Sequence, residues 1–222
     1  MARAPQRRPR QIRPRSQLLI DVTFRSDTIL SQAQSRGRRP ILASIDANLY
    51  FLDAVASFIG TDEAREKLLA ICADHISTIE ADIQTERDRI QAVADEAGVD
   101  LTAVTVADAV TVQIPITTPL SRRVINIAKA TDDLVTQIDA LWLLGAIQTG
   151  ERNAAIDRIR DTVFQLMLYT GNLRTRALEA AKRADKEDQA RAVESELGDA
   201  TDDTSDAVPD DDTEADEVQA AE

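Results

Sequence analysis

Cysteine, histidine, aromatic residues and glycine are all scarce in this sequence of 222 residues. The single cysteine excludes a disulfide within the chain, which fits a reducing compartment. Aromatic residues make up 3% of the chain, and seven glycines and seven prolines are too few for an all-β protein with many turns. The hydrophobic content of 43% comes mainly from alanine, isoleucine, leucine and valine, which favours packed helices.

Long apolar runs are also missing, since no stretch approaches the ~20 residues that a membrane-spanning helix needs. The N-terminus is rich in arginine, as in a transit peptide. However, Pro5, Pro9 and Pro14 would interrupt the amphipathic helix of such a peptide, and no small-residue cleavage pattern follows an apolar core. These absences predict a cytoplasmic protein without a membrane partner.

The sequence contains few candidate catalytic residues. Cys72 and His75 lie one helical turn apart, but two ligands do not make a zinc site, and a cysteine nucleophile usually takes its histidine from another element. No phosphate-binding glycine loop, metal-ligand cluster or nucleophile-elbow motif is present. Asp132 and Asp133 are adjacent on a predicted helix and point ~100° apart, which favours a solvated face over a shared acid–base role. We therefore expect no enzyme activity, no metal and no cofactor.

The net charge of −13 is distributed unevenly along the chain. Residues 1–40 contain ten arginines against two aspartates, whereas residues 185–222 contain sixteen acidic residues against two basic ones. We predict a disordered basic arm over 1–15, a helical α+β domain over 16–183, and a charged helix end with an acidic disordered tail over 184–222. A basic arm beside a mildly acidic body indicates a polyanionic partner.

Apolar periodicity predicts helix over most of the domain. Residues 41–59 place their apolar side chains on one stripe, and a helix of about 36 residues follows from a cap at Thr61 to Ala97. Its narrow apolar stripe beside a heavily charged face is typical of a coiled-coil seam, formed either within the chain or between chains. Residues 99–109 fit a loop, a short helix or an added strand.

Two segments predict strands. In residues 16–24 and again in 110–117, apolar residues alternate with other residues at a period of two, which indicates half-buried strands. Pro115 lacks a backbone donor, so its strand is expected at an edge or in a two-stranded ribbon. Whether the two strands share one sheet stays open at this point.

Two helices follow the second strand. Thr118 and Pro119 predict an N-cap and a first helical residue, and this helix breaks at 145–150 before another begins, with Gly171 as a candidate C-cap. A strand, a helix, a turn and a second helix occur in that order in ribbon-helix-helix DNA-binding units. We predict such a unit over 109–171.

Three segments of the chain resemble a known family. The strand and helix of 15–37, the strand, proline-containing turn and aspartate-rich helix of 110–135, and the closing helix of 143–167 are similar to parts of the AcaB-like family of integrating conjugative elements and conjugative plasmids. That family includes a transcriptional activator of conjugation genes with a ribbon-helix-helix unit, and other members are known only from mobile elements. The resemblance therefore implies a regulator of such an element. This chain has fewer aromatic residues in its middle than members of the family usually have.

The outward side of the second strand supplies the candidate DNA contacts. Burying its apolar face leaves Thr111, Gln113 and Thr117 outward, where glutamine pairs with adenine and threonine contacts a base edge or a thymine methyl group. Two copies of the strand would pair side by side in a homodimer that binds double-stranded DNA. The candidate phosphate contacts are Arg122 and Arg123 on the following helix, and Arg7, Arg8, Arg10, Arg13 and Arg15 in the arm.

Together these features predict a mainly α (α+β) protein that acts as a dimeric, sequence-specific transcriptional regulator of a conjugative or integrating mobile element. The alternative is a non-enzymatic assembly protein of that element, with the helix over 61–97 as its coiled-coil partner surface. In that case Thr111 and Gln113 are ordinary solvent-facing residues of an edge strand. The acidic tail is either a solubilising segment or a DNA mimic that occupies the arm.

Overall fold

The computed structural model describes residues 17–34, 40–101 and 108–199. Within these ranges the chain forms helices around one two-stranded antiparallel sheet, which confirms the prediction of a mainly α protein. The arginines of the predicted arm and nearly all of the predicted acidic tail lie outside the described residues. The elements in chain order are β1 (Leu18–Phe24), α1 (Asp27–Ala33), α2 (Ile41–Ile59), α3 (Asp62–Ala97), β2 (Val110–Ile116), α4 (Pro119–Leu143), α5 (Thr149–Arg183) and α6 (Glu187–Asp199).

Local capping residues set the ends of most helices. The side chains of Ser26, Thr61 and Thr118 each accept a hydrogen bond from the backbone N–H three residues later, and so begin α1, α3 and α4. Gly98 ends α3 with φ 66°, in the left-handed region that favours glycine. Because these effects act over one helical turn, the predicted starts of α3 and α4 agree with the structure.

Gly171 does not end a helix, in contrast to the sequence prediction. It lies within α5, which continues for 35 residues to Arg183. On both sides of this glycine, α5 bonds to Asn48 of α2, through the Thr170 hydroxyl at 3.3 Å and the Arg174 guanidinium at 3.3 Å. Packing against α2 therefore carries the helix past the glycine.

α6 packs back onto the body of the protein. Ala190, Val193 and Leu197 are buried against Phe51 and Val55 of α2, and they form a second apolar cluster with the end of α5. The sequence analysis grouped this segment with the acidic tail. In the structure, the folded body extends to the end of α6.

The apolar stripe of α3 is buried within its own chain. α5 runs antiparallel to α3, since Glu86 pairs with Arg158 at 3.0 Å and His75 stacks on Tyr169. It also runs antiparallel to α4, since Asp139 pairs with Arg152 at 2.6 Å and Trp142 bonds to Thr149. The apolar stripe from which a coiled-coil seam was predicted therefore packs inside the domain, and a coiled coil stays a prediction. Its buried residues are Cys72, Ile76, Ile79, Ile83, Ile90 and Ala94.

α2 is the central helix of the core. Its 19 residues have a mean hydropathy of 1.3 over the most apolar window, so by length and composition it is able to cross a membrane, which the sequence analysis did not anticipate. Half of that window is buried inside the protein. Asp46 and Asn48 in the middle of the helix bond to other elements of the same chain. These contacts are those of a core helix.

Candidate nucleic-acid interface

The two strands form one ribbon within a single chain. β1 pairs antiparallel with β2 along its whole length, with Leu18 opposite Ile116 and Phe24 opposite Val110. The sequence analysis expected two copies of residues 110–117 to pair instead. β1 has the same period-two alternation as β2, so both strands bury an apolar face on the same helices and pair with each other.

The alternation gives the ribbon a buried face and an outward face. On the outward face Asp21, Thr23, Thr111 and Gln113 are exposed, and so is Leu19 at 59%, which lies opposite the partly exposed Pro115. The exposure of Thr111 and Gln113 agrees with the pattern in the sequence, and their contact with DNA stays a prediction. The buried face consists of Val22, Phe24, Ile114 and Ile116, with Ile20 and Val112 partly buried beside them.

Pro115 fixes the hydrogen-bonding pattern of the ribbon. It lies opposite Leu19 and has no N–H, so this pair is a non-hydrogen-bonded position of the antiparallel ladder. The pattern repeats every two residues, which makes Thr23 and Thr111 a non-hydrogen-bonded pair too, with closely spaced side chains. Their hydroxyl oxygens lie 2.9 Å apart and share a hydrogen bond.

A buried aspartate of α4 anchors the end of β1. Asp132 accepts hydrogen bonds from the backbone N–H of Arg25 at 2.8 Å and of Ser26 at 2.9 Å, immediately after the strand. Its side chain is almost inaccessible to solvent, at 2% exposure. Asp133 is half exposed and pairs with the Arg25 guanidinium at 3.2 Å. The expected solvated face is thus correct for Asp133 and wrong for Asp132.

A second buried aspartate, from α2, anchors the end of β2. Asp46 accepts hydrogen bonds from the backbone N–H of Thr117 at 2.9 Å and from its hydroxyl at 2.8 Å. Thr117 is consequently only partly exposed, and its hydroxyl proton already has an acceptor. Since the strands are antiparallel, Asp46 and Asp132 hold opposite ends of the ribbon.

The two candidate arginines of α4 have different surroundings. Arg123 donates to both carboxylate oxygens of Glu80 at 3.0 and 2.6 Å and to the Ser77 hydroxyl at 2.8 Å, and its pKa is raised chiefly by the hydrogen bond to Glu80. It therefore joins α4 to α3. Arg122 is exposed, and its side chain has no hydrogen bond or ion pair among the described residues. Of the two, Arg122 is the one whose guanidinium is available to a phosphate.

Cys72 and His75 are packing residues in this structure. Burial raises the pKa of the Cys72 thiol to about 11. His75 stacks on Tyr169 of α5 with ring centroids 3.6 Å apart, and burial lowers its pKa. Among the described residues, no group of three or more histidine, cysteine, aspartate or glutamate side chains is arranged to hold a metal ion.

Nine of the 26 basic residues of the chain, all of them arginines, lie outside the described residues. The described part of the chain has 17 basic against 29 acidic side chains, while nine arginines precede β1 or link α1 to α2. The five arm arginines predicted as phosphate contacts are among these nine. Because Leu18 lies opposite Ile116, the arm joins the ribbon beside the start of α4, where Arg122 is exposed.

The two anchoring aspartates were not identified as such from the sequence. Asp46 lies four residues after the buried Leu42 and three before the buried Leu49, and Asp132 lies four residues after the buried Ala128 and three before the buried Val135. A lone carboxylate at a core position of a helix predicts a buried hydrogen-bond acceptor. That observation identifies the aspartates but not their partners, which are distant in sequence.

Comparison with known proteins supports the fold. No protein-family model and no curated protein matches the chain. Among solved structures, it is similar to the crystal structure of selenomethionine-containing AcaB from uropathogenic E. coli, with a TM-score of 0.70 at 15% sequence identity. The likeness covers 82% of this chain and 97% of that one. The resemblance stated from the sequence is therefore confirmed for the fold, without evidence from a sequence family.

Proposed function

We propose that this protein is a sequence-specific, DNA-binding transcriptional regulator of a conjugative or integrating mobile element, and that its β1–β2 ribbon contacts the bases. The observation that carries the proposal is an outward face with two opposed polar pairs, Asp21–Gln113 and Thr23–Thr111, on a two-stranded ribbon fixed at both ends by buried aspartates. Two strands ~4.8 Å apart fit the major groove of B-DNA, which is ~12 Å wide. The likeness in fold to AcaB and the family resemblance supply the mobile-element context.

Phosphate contacts are assigned to the groups around the ribbon. Arg122 lies in the first turn of α4, whose N-terminal N–H groups also favour an anion. The arm, with Arg7, Arg8, Arg10, Arg13 and Arg15, joins the ribbon at the same end. We place Arg123 outside the contact set, because Glu80 neutralises its charge.

The alternative function, an assembly protein that binds through α3, has less support. Its apolar stripe is already buried against other helices of the same chain. Ile71 is the one large apolar side chain of α3 that is more than one third exposed. A coiled-coil partner needs a repeated stripe, and the solvent face of α3 does not provide one.

A dimer fits this proposal only if its contact lies away from the ribbon. The major groove admits two strands and leaves no room for those of a second copy. We assign the dimer contact to the C-terminal end of α4, where Trp142, Leu143 and Leu144 are 37%, 74% and 62% exposed. L143E with L144E is expected to yield monomers in sedimentation, whereas L18E, at the ribbon, is expected to leave the dimer intact. The opposite result would place the dimer contact at the ribbon.

Direct DNA binding tests the proposal with matched variants. The full-length protein is titrated with its own upstream DNA and with a scrambled duplex at several salt concentrations. Gln113→Ala is expected to lower the preference for the upstream DNA about tenfold, and Arg122→Ala to weaken both duplexes equally. The controls are Gln165→Ala and Arg176→Ala, exposed residues of α5 distant from the ribbon. Unchanged affinity and preference in Q113A and R122A would refute the proposed interface.

Deleting residues 1–15 tests the arm separately. Each phosphate contact that is lost lowers the slope of log affinity against log salt by ~0.9. If the arm arginines bind phosphate, the truncated protein shows a slope smaller by several units while it keeps its sequence preference. An identical slope would show that the arm does not contact DNA.

A further inference from the structure

The two strands of the ribbon differ on their outward face. β1 presents Leu19, Asp21 and Thr23, and β2 presents Pro115, Gln113 and Thr111 directly opposite them. A ribbon made from two copies of one strand shows every side chain twice, related by a two-fold axis. Because this ribbon forms within one chain, its outward face has no such symmetry.

The outward face is small on the scale of a DNA site. Side chains two residues apart on a strand are separated by ~6.8 Å, and neighbouring strands by ~4.8 Å. Base pairs repeat every ~3.4 Å, so the two polar pairs, Asp21–Gln113 and Thr23–Thr111, cover about two to three base pairs. A DNA site long enough to be specific therefore requires more than one ribbon. Each ribbon then contacts its own short DNA sequence.

Asp21 is the one charged side chain among the outward-facing residues of the ribbon. A carboxylate only accepts hydrogen bonds, so phosphate and the acceptor-rich edge of guanine repel it. The donor that fits it in the major groove is the N4 amino group of cytosine. Gln113 opposite both donates and accepts, which suits adenine. Asp21 thus lowers affinity for DNA in general and makes recognition selective.

The threonine pair restrains the neighbouring part of the face. The Thr23 and Thr111 hydroxyls bond to each other at 2.9 Å, which orients both side chains across the ribbon. Their methyl groups and remaining lone pairs are tolerant of several bases. Discrimination on this face therefore depends mainly on Asp21 and Gln113.

We infer that the ribbon of each copy is a complete, asymmetric base-reading element, in which Asp21 selects cytosine through its N4 amino group. The inference rests on the proposed function and deepens it. A dimer then recognises two copies of a short element that is not itself a palindrome. A ribbon shared between two copies would instead recognise one palindrome centred on the ribbon.

Selection from randomised duplex DNA with the full-length protein tests this inference. Asp21→Asn is compared with wild type and with Asp108→Asn, which removes the same charge from an exposed position two residues before β2. The wild-type protein is expected to enrich a short non-palindromic element that contains cytosine. D21N is expected to prefer adenine where the wild-type protein prefers cytosine, because an amide both donates and accepts, as adenine requires. The preference at this base pair is expected to change about tenfold. D108N is expected to keep the wild-type element.

The possible results separate the inference from the proposed function. If wild type enriches an element and D21N enriches the same one with cytosine retained, Asp21 does not read the base and the inference fails while the function stands. A single palindrome without repeated elements would also overturn it. If the wild-type protein enriches no sequence, the proposed function fails and the inference with it.

Discussion

Replacing Asp132 with alanine is expected to destabilise the protein far more than the same change at its neighbour Asp133. Asp132 is buried and accepts from two backbone N–H groups, those of Arg25 and Ser26. Asp133 lies next to it in sequence, is half exposed, and makes an ion pair with the Arg25 side chain. The two substitutions remove the same carboxylate from adjacent positions of one helix.

The difference in stability follows from burial. A hydrogen bond to a charged group contributes about 1.5–3 kcal/mol, and two N–H groups lose their acceptor in D132A. The Arg25 N–H is only partly buried, so the expected effect lies in the lower half of the range for two such bonds. We expect D132A to lower the free energy of unfolding by about 3–4 kcal/mol. An exposed ion pair contributes about 0–1 kcal/mol, which sets the expected effect of D133A. Single domains typically have a free energy of unfolding of about 5–15 kcal/mol, so the loss expected for D132A is a large part of the total stability.

Urea unfolding at neutral pH, followed by circular dichroism, measures the two free energies of unfolding. D132N serves as a milder variant, because its amide keeps one acceptor oxygen and the side-chain shape, and we expect a loss of about 2 kcal/mol. The slope with urea should stay the same in all variants, which indicates that the same surface is exposed on unfolding. If D132A and D133A differ by less than about 1 kcal/mol, the buried anchor does not contribute as argued here.

Further predictions concern α3 and the start of α5. Burial lowers the pKa of His75, so the unfolded state binds a proton first as pH falls below about 6.5 and stability decreases there. H75F, which keeps a ring on Tyr169, should remove that part of the pH dependence in urea titrations. Burial raises the pKa of Cys72 to about 11, so its thiol is expected to react with a thiol reagent at pH 8 only at the rate of unfolding. Gly98→Ala, at φ 66°, should cost about 1 kcal/mol, whereas Gly150→Ala in the first turn of α5 should be neutral or slightly stabilising in the same assay.

Features that depend on short-range chemistry were predictable from the sequence. The 41–59 helix, the start of α4 at Pro119 and the end of α3 at Gly98 all follow from residues within one turn of the boundary. The alternation in β2 likewise predicted that Thr111 and Gln113 face outward. Each of these features depends on neighbours within a few residues along the chain.

Features that depend on distant contacts were not predictable in the same way. β2 has an alternating pattern that fits any partner strand, and 85 or more positions separate it from β1. The length of α5 beyond Gly171 depends on Asn48 of α2, and the role of Asp132 depends on N–H groups at the end of β1. Sequence patterns specify which face of an element is apolar, but they do not specify which element covers it.

The anchoring of the ribbon by main-chain hydrogen bonds separates the stability of the fold from the proposed recognition of DNA. A two-stranded ribbon alone is marginally stable, and here the helices supply its buried face and the two carboxylates that fix its ends. The outward side chains then contribute little to folding. Substitutions at Asp21 and Gln113 should therefore change DNA preference with an unfolding free energy within about 0.5 kcal/mol of wild type, as for other surface sites. Substitutions at Asp132 should lower stability without changing which bases are preferred by the protein that remains folded.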